Sequence, residues 1–210
     1  MIELASALAL LALTHWVPSA PGVRPLLIRR LGLGGFRAVH SLVSLAIVAW
    51  LIAAYGAADG PWLWMPPIWG RWVAVIAMPL ALWLIVARLL ERPGDSPAGI
   101  YGITATPGSL GLLIWAGLHL LNLGEARAVL LFATFAAIAL AAMIKNKRTA
   151  PPARRRVGVL PGLAMITGRT PAGAGRVRPL PVLLAIGLWI LLLVLHPVVI
   201  GADPLTGIIP

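Results

Sequence analysis

The run T-A-T-P-G-S-L-G-L-L-I-W-A-G-L-H-L-L-N-L-G at 104–124 decides how this chain is read. It is an apolar helix with a Thr/Pro start, one histidine, His119, near its far end, and Asn122 and Gly124 closing it. No charged residue interrupts it, so it belongs in a bilayer or in a deeply buried core. An ionisable side chain in such a helix is costly in lipid, faces the bundle interior and usually has a task. The plainer reading is a histidine at a helix end, wetted at the headgroups.

The same apolar character extends to the whole chain. It has 210 residues, 60% of them hydrophobic and 11% charged, against about 25% charged in a soluble domain. The sequence therefore predicts an all-α, polytopic transmembrane helix bundle of about six spans, forming a single membrane domain over 1–210. Nine tryptophans suit a protein with two membrane–water interfaces. The absence of cysteine excludes disulfides, thiolate metal sites, iron–sulfur clusters and a cysteine nucleophile. Six acidic residues in all argue against a carboxylate proton relay or a carboxylate metal cage.

Taken in order, the spans fall at about 2–17, 38–57, 72–90, 106–123, 126–144 and 180–200. The first carries Glu3 rather than a basic start and ends in His15, Trp16 and Pro18, so it reads as a retained helix and not a cleaved signal. Residues 18–37 make a basic connector whose R-P-L-L-I-R-R-L-G suits a short amphipathic helix at the interface. Trp62, Trp64 and Trp69 in the 58–70 loop read as interface anchors. Pro79 marks a potential kink, and Arg88 is placed to snorkel toward headgroups. Residues 91–105 read as a turn-rich loop. The basic cytoplasmic loop 145–179 is rich in Pro, Gly and Arg from 149 onward, a composition that favours a solvated, weakly structured segment.

Charge fixes the expected orientation. The net charge is +11, and nine of the seventeen Lys/Arg lie between Lys145 and Arg178. Basic charge flanking apolar spans is a topology signal and a lipid contact, so no nucleic-acid partner is expected. Connectors 1, 3 and 5 hold most of the basic residues, and the opposite ones hold Arg71 and Arg127. The positive-inside rule puts the odd connectors in the cytoplasm and both termini in the periplasm of a bacterial inner membrane. Membrane lipid is the expected partner, with a lipid-soluble substrate possible.

Chemistry rests on four histidines at membrane depth: His15, His40, His119 and His196. Hydrolase, metalloprotease, phosphate-loop and dinucleotide motifs are all missing. Histidines from different helices are a standard way to hold a haem. Each ligand then needs an acceptor for its other N–H, and Asn122, Thr14 and Ser44 are the candidates. Met65, Met78, Met143 and Met165 are conceivable axial ligands, but methionine is usually packing. By depth, His15 pairs with His40 and His119 with His196, since His119 lies roughly 20 Å along its helix from Thr106.

Four pieces carry a resemblance: H-W-V-P-S-A-P-G-V-R-P-L-L-I-R-R-L-G at 15–32, H-S-L-V-S-L at 40–45, T-A-T-P with I-W-A-G-L-H-L-L-N-L-G at 104–124, and L-H-P-V-V-I-G at 195–201. In this order and spacing the chain resembles the NnrU family of bacterial membrane proteins, which also contains the 15-cis-zeta-carotene isomerases. The resemblance implies a link to nitrite and nitric oxide metabolism (denitrification), or to redox-type cis–trans isomerisation of a polyene. It implies haem b held by two histidines, at the positions of His15 and His119; the depth argument leaves His119 with His196 as the runner-up pair and His40 as a further candidate. The family's Thr-Arg-His-Pro stands here as Thr104-Ala105-Thr106-Pro107, without its arginine and histidine. The family's Tyr-Ser-Leu-Val-Ser begins here with His40. Catalytic residues are not assigned. A non-catalytic assembly or binding factor is the alternative, and a small transporter ranks third because the spans carry few polar residues.

Overall fold

The computed structural model describes residues 1–20, 22–169 and 175–206. Within them the chain is α-helical, with no β-strand beyond a single bridge between Trp62 and Glu125. The elements are α1 (Ile2–Trp16) with a 3-10 turn (Val17–Ser19), α2 (Val23–Gly56), α3 (Gly70–Leu90), α4 (Ile100–Ile103), α5 (Pro107–Asn122), α6 (Ala126–Thr149), α7 (Pro152–Arg155), α8 (Leu163–Ile166) and α9 (Pro179–Val199).

Among the described residues, five helical segments are long and apolar enough to cross a membrane: Ile2–Ser19, Val23–Gly56, Gly70–Leu90, Ala126–Thr149 and Pro179–Val199. The expected span at 106–123 is present as α5, but its 16 residues rise only about 24 Å, less than the roughly 30 Å of bilayer hydrocarbon. The chain is a multi-pass membrane protein. α9 shows why most clearly: its mean hydropathy reaches 2.7, yet only 6% of that window is buried inside the protein. An apolar surface left that bare is solvated by lipid.

The chain divides into two compact units, Met1–Met65 with Leu123–Thr134 and Pro66–Asn122 with Phe135–Pro210. In the first, α1 buries Leu4, Ala7, Leu8 and Leu11, the i, i+3, i+4, i+7 stripe of one helical face. α2 answers with Ile47, Leu51 and Ala54. The expected amphipathic helix and second span run together as α2, with a kink where Gly32 takes φ 68°, ψ 165°. Glycine is the residue that accepts this backbone region readily. The loop before α6 is clamped: Leu63 N–H donates to the Gly124 carbonyl at 2.7 Å and Ala126 N–H to Pro61 at 2.9 Å.

In the second unit α3 packs against α5 and α9. Gly111 lets α5 approach closely, since a Cβ there would stand 2.6 Å from the Ala81 carbonyl oxygen and 3.1 Å from Leu84 Cβ. Helix pairs in lipid lack a hydrophobic drive and rely on such close contact of small residues. α3 runs unbroken through Pro79.

One loop expectation is corrected. Residues 99–107, read as the end of a turn-rich loop and the start of a span, are buried without a break. Residues 150–169, read as solvated and weakly structured, dock against them. Ala105 N–H donates to Gly158 at 2.8 Å, Gly162 N–H to Ile103 at 2.9 Å, and the Thr104 hydroxyl to Val159 at 2.7 Å. The reason is that main-chain groups supply most of the bonds, while Val157 and Ala164 are buried as apolar pegs; composition reports neither. The stretch 170–174 of that loop lies outside the described residues. The basic run at 145–148 continues α6 to Thr149, because Lys and Arg are good helix formers and their charge suits a helix C-terminus.

Gly111→Leu should therefore lower the thermal midpoint in detergent, at an overpacking cost of about 1–3 kcal/mol. Gly117→Ala, where an added Cβ meets nothing within 4 Å, should leave it unchanged or raise it. Equal midpoints for wild type and Gly111→Leu would contradict the α3–α5 packing. Thr104→Val should loosen the docked segment, which trypsin would report as faster cleavage at Arg154, Arg155 and Arg156.

Candidate functional site

The four histidines are half-buried, and three share one local arrangement. His15 lies in the last turn of α1, with Nδ1 2.8 Å from the Leu11 carbonyl oxygen. His119 lies in the last turn of α5, with Nδ1 2.8 Å from the Trp115 carbonyl oxygen. In both cases the acceptor is the residue four back in the same helix. His196 in α9 sets Nδ1 2.6 Å from the carbonyl oxygen of Ala202, just past the helix. A carbonyl can only accept, so Nδ1–H donates and Nε2 keeps the lone pair. That tautomer is the one an imidazole uses to bind a metal through Nε2.

Neighbouring rings hold two of these imidazoles. In the first unit His15 and His40 meet ring to ring, with centroids 5.6 Å apart at 66°. Phe36 stacks on His40 at 6.0 Å. In the second unit the Trp115 ring covers His119 at 4.6 Å, and Phe135 braces Trp115 edge-on at 5.6 Å. His196 is close enough to His119 for their charges to interact. His15 belongs to one unit and His119 to the other.

The side-chain acceptors anticipated for the histidines serve elsewhere. Asn122 Nδ2 donates to Gly70 at 3.1 Å and to Leu118 at 2.8 Å, tying the end of α5 to the start of α3. The Thr14 hydroxyl donates to Leu10 and Leu11, and Ser44 Oγ is buried with no hydrogen-bond partner. Main-chain carbonyls displace them because a helical histidine leans back over the preceding turn. Among the methionines, Met143 is packed in the core of the second unit with Leu84 and Tyr101, and Met65 is exposed.

Sequence reasoning missed a polar cavity at the start of α5, where Arg88, Tyr101, Thr106 and Arg154 gather. Arg88 had a signal only as a snorkelling residue, and Arg154 sat unremarked in a run of arginines. Their meeting depends on the docking of 150–169, which composition concealed.

A family model described as NnrU protein matches residues 3–204. No curated protein and no solved structure matches the chain.

In the cofactor-free protein, 15N spectra of the neutral labelled imidazoles should place the ring proton of His15, His119 and His196 on Nδ1. A protonated Nε2 at His15 or His119 would remove the shared arrangement.

Proposed function

Because the chain belongs to the NnrU family, we propose that it is a haem-b-binding integral membrane protein whose iron ligands are His15 and His119. The observation carrying this reading is their shared geometry, each Nδ1–H tied at 2.8 Å to the carbonyl four residues back. Such a bond fixes the tautomer, orients the ring and raises the basicity of Nε2. The donor set fits the group: imidazoles, each at the end of an apolar helix, in a chain with no thiolate to compete. When bound, haem b supplies a one-electron couple whose potential follows its axial ligands and their surroundings. The chain's own part is to hold the two imidazoles, keep their N–H groups engaged and exclude water with apolar walls such as the Trp115 ring.

The family resemblance directs this redox group to nitrite and nitric oxide metabolism, or to cis–trans isomerisation of a polyene. The lipid-facing apolar surface of α9 suits a lipid-soluble substrate. A second reading, a non-catalytic assembly or binding factor, is favoured by Thr106. That residue replaces the family's histidine, is buried, and has a hydroxyl with no partner. A hydroxyl cannot do imidazole proton chemistry near neutral pH. His196 is the alternative iron ligand, favoured by its nearness to His119.

We place the protein in a bacterial inner membrane with its termini in the periplasm. The charge balance supports this. Arg127, on the sparsely charged side, is paired with Glu125 at 2.9 Å, so the basic excess there is smaller still.

Absorption spectra of the detergent-purified protein, oxidised and dithionite-reduced, test the ligand set. The expected result is a Soret band with sharp reduced bands, lost or strongly shifted in both His15→Ala and His119→Ala. A band that survives His15→Ala but is lost in His119→Ala and His196→Ala moves the site to the second pair. No band after expression with ample haem would overturn the haem reading and leave the assembly role.

A further inference from the structure

The cavity at the start of α5 has a volume of about 140 Å³ and is lined by Arg88, Tyr101, Thr106, Ser109, Asn146 and Arg154 among others. Arg88 reaches it from the last turn of α3, across Gly108, where a Cβ would stand 2.8 Å from Arg88 Cγ. Arg154 reaches it from the docked segment and lies over the Tyr101 ring, 5.5 Å from its centroid. Thr106 is only 3% exposed, and its Oγ1 has no hydrogen-bond partner; Arg154 Nε is also buried without one.

The electrostatics are one-sided. Glu91 accepts the Ile100 N–H at 2.9 Å and does not line the cavity. Among the described residues the single ion pair is Arg127 with Glu125, so neither Arg88 nor Arg154 has a carboxylate partner. Burial pushes the Tyr101 phenol above its ordinary range, against the pull of Arg88 and Arg154 and with Glu91 adding to the rise. Tyr101 is thus a neutral donor at physiological pH. The α5 helix starts here, at Pro107. Its first-turn amides lack intrahelical acceptors and carry the positive end of the helix dipole. Two guanidinium groups, the hydroxyls of Tyr101, Thr106 and Ser109 and a helix N-terminus make a donor-rich site for an anion.

We propose that this cavity binds a phosphate group, presented either as an anionic phospholipid headgroup or as a free phosphate. Size limits the choice. Pockets for drug-sized ligands run to about 300–1,000 Å³, so this one takes a phosphate with a few attached atoms and not a whole nucleotide. Phosphate chemistry is preferred over carboxylate because donors converge from several elements, suiting an anion with several acceptor oxygens. The site is independent of the histidines and of the haem reading.

The test uses the full chain, purified in detergent, depleted of lipid and checked for helicity. Thermal shift is followed on titration with short-chain phosphatidylglycerol, with short-chain phosphatidylcholine, and with inorganic phosphate against chloride at matched ionic strength. Arg88→Gln, Arg154→Gln and the near-isosteric Thr106→Val are compared with Arg156→Gln, an exposed arginine that does not line the cavity. The expected result is saturable stabilisation of the wild type and of Arg156→Gln. Affinity should fall about tenfold or more in Arg88→Gln and Arg154→Gln, the loss of a charge-assisted hydrogen bond, and by less in Thr106→Val. A response to phosphatidylglycerol alone identifies a headgroup site; a response to inorganic phosphate as well identifies a free-anion site. Equal responses to both lipids with none to inorganic phosphate, no saturable response, or cavity variants that bind like the wild type would overturn the proposal.

Discussion

α3 and α5 come so close at Gly111 that a single methyl there would meet the Ala81 carbonyl oxygen at 2.6 Å, and the rest of their unit follows from that approach. With the helices drawn together, Asn122 at one end of α5 reaches the Gly70 carbonyl at 3.1 Å. At the other end Gly108 lies against the stem of Arg88. α5 is thus tied at both ends to a 21-residue helix while being only 16 residues long itself. The shortfall is made up by protein. Residues 99–106 precede α5 as buried backbone that is irregular outside the single turn of α4, and in a membrane protein such backbone is tolerated only where protein or a water-lined cavity satisfies it. The docked 150–169 segment supplies those partners.

The fold was legible wherever hydrophobicity alone decides the outcome. The apolar runs ending near His15, Tyr55, Leu90 and Asn122 all became helices, because a span must bond its own backbone and therefore has one conformation available. Legibility failed where main-chain groups do the work. Nothing in G-V-L-P-G announces that Gly158 and Val159 will offer carbonyls to Ala105 and Thr104. A segment of Pro, Gly and Arg reads as solvated because those residues carry little packing information. The kink at Gly32 was half visible: two helical pieces were expected, and the positive φ that joins them is a property of one glycine among many.

The candidate site failed to be read in a parallel way. The four histidines stood out, and so did their division into two pairs by depth. The partners of their N–H groups did not, because they are main-chain carbonyls and not side chains such as Asn122 and Thr14. An imidazole N–H left unpaired in a low dielectric costs about 1–3 kcal/mol, and a helix offers a carbonyl one turn back at any position. Which histidine takes that carbonyl depends on its rotamer, and the rotamer depends on neighbours such as Trp115 over His119. Sequence names the ring but not the rotamer, and the rotamer is what aims Nε2.

Arginines near the two span ends described here are stabilised differently. Arg127 has Glu125 at 2.9 Å, the Ala58 carbonyl at 3.0 Å and the Tyr55 ring at 5.2 Å, a closed set that leaves little for a ligand. Arg88 and Arg154 share a cavity with hydroxyls, an amide and a helix N-terminus, every one able to donate, and no carboxylate lines it. Arg88 is exposed and Arg154 half-buried, so both guanidinium groups stay within reach of water or an anion, and no carboxylate competes for them in the cavity. The hydroxyl of Thr106, buried and unpartnered, sharpens the point, since it would otherwise be wasted inside a donor-rich pocket. A membrane protein that gathers nine of its seventeen basic residues from the last turns of α6 onward brings a phosphate-bearing surface to that region whichever way it is inserted, and the cavity is built to hold one such group in a fixed place.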